Sequence, residues 1–252
     1  MTGVQTCALP IFKTATGRHY DAYWLNVGLE KQIKHQSLIE RATPRQAVTE
    51  TQTDAFTAIT ELTIYAPDHP RLLALITGAC AAANANILGA QISTTTDGMA
   101  LDTILIQREF STEDDEQRRA ERVTEIIRMA LQGQLRLKDA VANVTHQRHR
   151  LKAFSVVPRV IIDNTSSNRF TVIEINGLDR IGLLYNLTEA LFHLNLNIAS
   201  AHITTFGEKA IDVFYVTDLT GGKILNPARH TQIERELMKV LTPVTERLAN
   251  MA

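Results

Sequence analysis

Two stretches of this chain are copies of one another. ITELTIYAPDHPRLLALITGACAAANANILGAQI, Ile59–Ile92, aligns without a gap to FTVIEINGLDRIGLLYNLTEALFHLNLNIASAHI, Phe170–Ile203. The identities include Asp68/Asp179, Leu72/Leu183, Leu73/Leu184, Thr77/Thr188, Asn84/Asn195, Asn86/Asn197, Ile87/Ile198 and Ile92/Ile203, a constant offset of 179 − 68 = 111. Further on, Asp102 matches Asp212 at an offset of 110, so one turn differs by a residue. A match of this length is a whole supersecondary unit written twice, the signature of duplicated domains.

Each copy has the same order of elements. Leu62–Tyr65 and Thr171–Ile175 are β-rich runs, and Arg71–Ala83 and Gly182–Leu194 have helical apolar spacing. Asp68 and Asp179 stand where an N-cap is expected. Ile87–Thr95 and Ile198–Phe206 read as strands, followed by turns at Thr96-Asp97-Gly98 and Gly207-Glu208 and by the hairpin partners Leu101–Arg108 and Ile211–Thr217. Second helices follow at Asp114–Gln132, acidic at its start, and at Pro227–Leu241, with Pro in its first turn. This grammar predicts an α+β fold: two ferredoxin-like βαββαβ domains with antiparallel sheets, preceded by a short helical segment. Lys152–Val157 is the expected last strand of the first copy, whereas Thr242–Ala252 is not strand-like. Val160–Asp163 is the alternative edge strand for the second copy, and the sequence leaves that choice open.

The expected boundaries are 56–158 and 159–252 for the two domains, with 46–55 as a linker because QAVTETQTD has no apolar period. Phe12–Arg45 is helix-like, with Tyr20, Tyr23, Trp24, Val27 and Ile33 at short helical spacings. Met1–Ile11, MTGVQTCALPI, reads as the in-frame translation of a sequencing adapter, with coding sequence expected to begin near Phe12. At 252 residues the chain has room for about two domains. Hydrophobic residues at 44%, charged residues at 21% and a net charge of −1 fit a globular chain and argue against nucleic-acid partners. The longest apolar run, Leu72–Ala83, is too short for a membrane span, and two cysteines, Cys7 and Cys80, build no disulfide scaffold. The expectation is a cytoplasmic protein with neither nucleic-acid nor membrane partners.

Catalytic signatures are missing: the sequence has no HD dipeptide, CxxC, GxSxG, GxxxxGK[ST] or GxGxxG. Asp114, Asp115 and Glu116 are better read as favourable charges in a first helical turn than as metal ligands, and Cys80 as a core thiol. His146-Gln147-Arg148-His149-Arg150 reads as a solvated interdomain linker. The informative positions are the loops between first strand and first helix. Ala66–Leu72 and Gly177–Leu183 each place an acid just before free helix N–H groups. Such donors hold a carboxylate, an Asp accepts from an ammonium, and a free α-amino acid carries both groups. Asn86 and Asn197, opening the second strands, are expected beside these loops. Against this stands a purely structural role, with Asp as cap and Asn as turn former.

The D-x-[PI]-[GR]-L-L loop and the N-x-N-I strand start resemble tandem ACT domains, small ligand-sensing modules often specific for amino acids. ELTIYAPDHPRLLALITGACAAANANILGAQISTTTDGMALDTILIQREF and SNRFTVIEINGLDRIGLLYNLTEALFHLNLNIASAHITTFGEKAIDVFYVTD further resemble the C-terminal part of the bifunctional uridylyltransferase/uridylyl-removing enzymes of PII, alphaproteobacterial type. The likeness spans Arg18 to Leu241. It implies a glutamine-sensing pair that sets the balance between adding UMP to PII and hydrolysing it off. It also implies upstream nucleotidyltransferase and HD domains, outside this chain, that need Mg or Mn; in this chain no cofactor is expected. Phe12–Arg45 then corresponds to the segment following the HD domain, and the chain is expected to be inactive alone. Carried over residue by residue, the implied ligand positions are Asp68, His69, Arg71, Leu72, Asn86 and Ile87 in the first copy. In the second they are Leu178, Asp179, Arg180, Gly182, Leu183, Asn197 and Ile198. Arg71 stands where many ACT domains have Gly, so which copy binds is left open. A ligand-free dimerisation module and the sensor tail of another enzyme are the alternative readings.

Overall fold

The computed structural model describes residues 17–19, 23–24, 27–43, 46–147 and 156–242. The adapter-like start, Tyr20, most of Lys152–Val157, Arg148–Arg150 and 243–252 lie outside the described residues. In chain order the elements are α1 (Leu29–Arg41), β1 (Val48–Asp54), β2 (Ile59–Pro67), α2 (Leu72–Ala82), β3 (Ile87–Thr94), β4 (Met99–Gln107), α3 (Glu113–Leu131) and α4 (Leu137–Gln147). The second copy follows with β5 (Arg159–Asp163), β6 (Thr171–Leu178), α5 (Leu183–His193), β7 (Leu196–Phe206), β8 (Lys209–Asp218) and α6 (Pro227–Leu241).

Among the described residues, eight strands form one antiparallel sheet, in the order β1-β2-β4-β3-β7-β8-β6-β5. The two copies join through β3 and β7, where Gln91 pairs with His202. Since 202 − 91 = 111, the repeat pairs this position with itself, and the pseudo-twofold axis passes between these two strands. Each copy carries a bulge at the start of its joining strand, between Ile87 and Gly89 and between Ile198 and Ser200.

The order of elements differs from the expectation in one respect. Each copy is ββαββα: the edge strand comes before the unit rather than after it. Gln46–Asp54, expected as a linker, contains β1, which pairs along its whole length with β2. Its polar side chains suit an edge strand with one neighbour and a half-exposed face. Val156 and Val157 lie in no strand, and β5 provides the second copy's edge, the alternative that the sequence leaves open.

Successive residues of a strand face opposite sides of the sheet. In β2, Leu62, Ile64 and Ala66 enter the main core with α2 to α6, whereas Tyr65 packs with Leu38 and Ile39 of α1 on the other side. The first copy is therefore covered on both faces, and β4 is buried almost throughout, whereas β8 alternates buried and half-buried. The helix limits agree with the apolar spacing. The exception is α4, a helix not expected from the sequence, whose Leu137 and Val141 are buried against the core. Asn84 and Asn195 take φ of 57° and 54° just after α2 and α5, the left-handed geometry that ends a helix. Cys80 is fully buried, and burial pushes its thiol up to about 12.

Candidate functional site

Neither Asp68 nor Asp179 caps a helix. The helices begin later, with Arg71 and Gly182 at the N-cap positions and no capping side chain at either. Instead each Asp closes the loop against the hairpin turn of its own copy: Asp68 N–H donates to Gly98 O at 3.1 Å and Asp179 N–H to Glu208 O at 2.8 Å. The Asp68 carboxylate then accepts from Thr94 Oγ1 at 2.8 Å.

One pocket sits directly on this loop, lined by Asp68, His69, Leu72, Thr94, Asp102 and, from the second copy, Ile198, with apolar neighbours between them. The second copy reaches it because β7 runs antiparallel to β3: Ser200 pairs with Ser93, and the bulged Ala199 places its carbonyl 3.5 Å from Thr94 Oγ1. The site is composite, built from the strand–helix loop of one copy and the start of the joining strand of the other.

This corrects the expected place of the two asparagines. In a β-α-β crossover the two strands run parallel, so the second begins at the end of the sheet remote from the loop. Asn86 lies beside Gln107, accepting its N–H at 2.9 Å and donating from Nδ2 to its Oε1 at 3.2 Å, whereas Asp68 lies beside the Gly98 turn at the other end of β4. The span from Met99 to Gln107 is about 26 Å at the usual strand rise. Asn197 pairs with Thr217, equally far along β8 from the Lys209 end where Leu178 and Asp179 lie. Asn197 and Ile198 belong instead to the end of the sheet that holds the first loop. The same register directs the start of β3, with Asn86 and Ile87, toward the second loop, since Gly89 pairs with Thr204.

Arg71 and Arg180 are engaged elsewhere. Arg71 Nε pairs with Glu189 Oε1 at 3.0 Å, and its guanidinium lies 5.6 Å from the Phe192 ring centroid, so it ties the first loop to α5. Arg180 Nη2 donates to Val240 O at 2.8 Å, at the C-terminal end of α6. The loops also differ in backbone: Gly182 has φ of 78°, a left-handed conformation, where Arg71 is right-handed at −100°. Leu72 and Leu183 open their helices as buried core residues.

The sequence reading missed Asp102 and Asp212. Both are repeat-matched and both sit on the helix-facing side of a strand, 1% and 2% exposed, among Ala100 and Ile104 or Ala210 and Phe214. Each has a carboxyl oxygen, Oδ1, without a hydrogen-bond partner. Burial, reinforced by the Asp68 charge, raises Asp102 well above the usual carboxylate range, opposed by the Ser93 amide. Burial and the Asp179 charge raise Asp212 to about 7, opposed by the Thr204 amide. An acid on the apolar parity of a strand was the signal that could have found them. Asp68 is raised by burial, which Thr94 counters, and His69 is lowered by burial, which Asp68 counters.

Glu116, at the acidic start of α3, is a buried anchor. It accepts from Thr60 Oγ1 at 2.7 Å, from the Glu109 and Phe110 amides at 3.1 Å, and from Arg119 at 2.8 Å. Thr112 caps the helix through the Asp115 amide. Among the described residues, no group of three His, Cys, Asp or Glu side chains could hold a metal ion, and no helix is long and apolar enough to cross a membrane.

Comparison with known proteins agrees with this architecture. The ACT domain family matches residues 60–131, and the ACR family N-terminal ACT domain matches residues 166–242. The chain is 54% identical over 231 residues to the bifunctional uridylyltransferase/uridylyl-removing enzyme of Bradyrhizobium sp. (strain ORS 278), covering 90% of this chain and 25% of that protein. The chain thus spans a quarter of the length of this curated relative. Among solved structures, aspartate kinase from Synechocystis aligns at a TM-score of 0.40 and 19% identity, over 73% of this chain and 27% of that one. With the repeat, the single sheet and both domain matches in agreement, the chain is a tandem pair of ACT domains related to the bifunctional uridylyltransferase/uridylyl-removing enzymes.

Proposed function

We propose that this ACT pair is an amino-acid sensor, that its ligand is glutamine, and that it regulates uridylylation and deuridylylation of PII from within a larger cytoplasmic enzyme. The observation that carries the reading is the composite pocket. Asp68 and Thr94 come from one copy and Ile198 from the other, so a ligand there touches both halves of the pair. A ligand shifts an equilibrium only by its difference in affinity between two states, about 1–3 kcal/mol in typical allosteric coupling. A site whose two walls belong to different domains supplies such a difference whenever the domains move relative to each other. In this reading catalysis and its Mg or Mn belong to other domains of the proposed parent enzyme, and the pair serves regulation alone.

Calorimetric titration of the 252-residue chain with glutamine, against glutamate, glycine and serine, tests the reading. Saturable, glutamine-selective heat is the expected result. A folded sample that binds none of the four overturns it.

A further inference from the structure

We propose that Asp102, and Asp212 at the equivalent position of the second copy, are the acceptors that recognise a primary ammonium group, so that each site binds a small aminocarboxylate with release of a proton. The inference deepens the sensor reading and rests on it. It assigns the recognising atoms and adds a linkage to pH.

Asp102 is buried, lines the pocket beside Asp68, and has Oδ1 without a partner. A buried carboxylate needs a cation or several donors. None of the pocket's lining residues is a Lys or Arg; His69 is the basic group among them, and burial favours its neutral form. Arg71, the nearest guanidinium in the loop, is turned to Glu189. Two carboxyls on one small pocket cannot both ionise cheaply, so one keeps a proton while the pocket is empty. An ammonium group has three donors and no acceptor. Placed between Asp68 and Asp102 it satisfies the orphaned oxygen, supplies the missing positive charge and makes the retained proton redundant. The α-carboxylate of the same molecule suits the first-turn amides of α2.

The second copy repeats the pair of acids. Asp212 is buried between Ala210 and Phe214 on the helix-facing side of β8, its Oδ1 is unpartnered, and Asp179 is the acid acting on it. Arg180 is nearby in the loop, yet its guanidinium donates to the Val240 carbonyl. Among the described residues, the ionisable groups whose charge bears on Asp102 and Asp212 are Asp68 and Asp179 respectively. A core position that only needed filling has no use for an acid, still less for the same acid in both copies.

The test is calorimetric titration of the full chain with glutamine at pH 6.5, once in phosphate and once in imidazole buffer, which differ in heat of ionisation. The observed enthalpy is expected to differ between buffers by the amount that proton release requires. Asp102→Asn and Asp212→Asn keep the shape of the side chain; each is expected to weaken glutamine at its own site by about tenfold or more and to abolish proton release there. Circular dichroism and thermal melting establish that each variant is folded, and the two-buffer comparison on the unmodified chain needs no variant. Buffer-independent heats, or unchanged affinity in both Asn variants, overturn this inference and leave the sensor reading standing. If no amino acid binds the folded chain, both are overturned together.

Discussion

Thr77 and Thr188, one repeat apart, bring their hydroxyl oxygens to 3.1 Å where α2 crosses α5. Each is also 2.8 Å from the carbonyl four residues earlier in its own helix, Leu73 O and Leu184 O. Two hydroxyls have two protons, so the three contacts cannot all be full hydrogen bonds at once. The symmetric solution sends each proton to its own helix and leaves the helices in polar contact on the axis. The axis at this crossing is the one that pairs Gln91 with His202 in the sheet below. Both layers are thus joined by residues that the repeat matches to each other.

The helix seam next to this pair is closed by the absence of a side chain. A Cβ on Gly78 would stand 2.8 and 2.9 Å from the Tyr185 ring and 3.0 Å from Leu137 Cδ1. Gly78→Ala gains up to about 1 kcal/mol of helix propensity. Forcing the ring and α4 aside costs about 1–3 kcal/mol, so net destabilisation is expected. Chemical denaturation of Gly78→Ala, Tyr185→Leu and the double variant checks it. The double variant should recover part of the loss, giving a coupling of opposite sign to the single effects.

Arg71 is expected to matter for the seam and little for the ligand. Its ion pair with Glu189 is half exposed, and such pairs contribute about 0–1 kcal/mol, screened by salt. Arg71→Ala should therefore lower stability by no more than about 1–2 kcal/mol with the Phe192 contact included. The loss should shrink in high salt, while glutamine affinity changes less than about threefold because the guanidinium serves α5 rather than the pocket. Denaturation at low and high salt, with titration calorimetry on the same variant, measures both.

How much of this is legible in the sequence divides along a physical line. The duplication, the helix limits and the antiparallel α+β class follow from patterns local to one copy, and a pocket lies on the loop at Asp68. What is not legible depends on pairing between distant segments. VTETQTD looks like a linker because an edge strand with one neighbour has no need of an apolar face. Asn86 and Asn197 are expected beside the wrong loops because the start of each joining strand meets the loop of the other copy, a relation set by the β3–β7 register. Asp102 and Asp212 are visible as matched acids but carry no meaning until strand parity puts them on the buried side.

Asp212 should make the fold less stable at higher pH. Its folded value, raised to about 7, lies above the ordinary 3.8, so the folded state holds a proton that the unfolded chain has lost between those two values. Stability contributed by this group is fully present below about pH 4 and is lost as pH rises, the penalty reaching a few kcal/mol above pH 7. Asp212→Asn removes the titration. Relative to the unmodified protein, the variant should be more stable at pH 8 than at pH 5, as read from urea unfolding at both values. A stability change of equal size at both pH values on Asp212→Asn would contradict the assigned shift.

The opposite sign applies on the other face of the sheet, where His35 docks α1. Its ring lies buried between Tyr23 Oη at 2.9 Å from Nδ1 and Thr103 Oγ1 at 3.3 Å from Nε2. Burial lowers His35 to about 4, and His19, stacked on Tyr23 at 3.9 Å between centroids, is lowered to about 4 as well. In an undocked segment both would titrate near 6.5, so between pH 6.5 and 4 the undocked state binds protons that the docked state refuses. Docking is therefore at full strength above pH 6.5 and weakens as pH falls through this window. Trp24, the only tryptophan of the chain, lies edge-on to both His19 and Tyr23 and reports the event directly. Its fluorescence should change on acidification from pH 7 to 5 before the main core unfolds. His35→Gln keeps a hydrogen-bonding side chain without a titrating ring. It should shift that change to lower pH, leaving the residual dependence to His19.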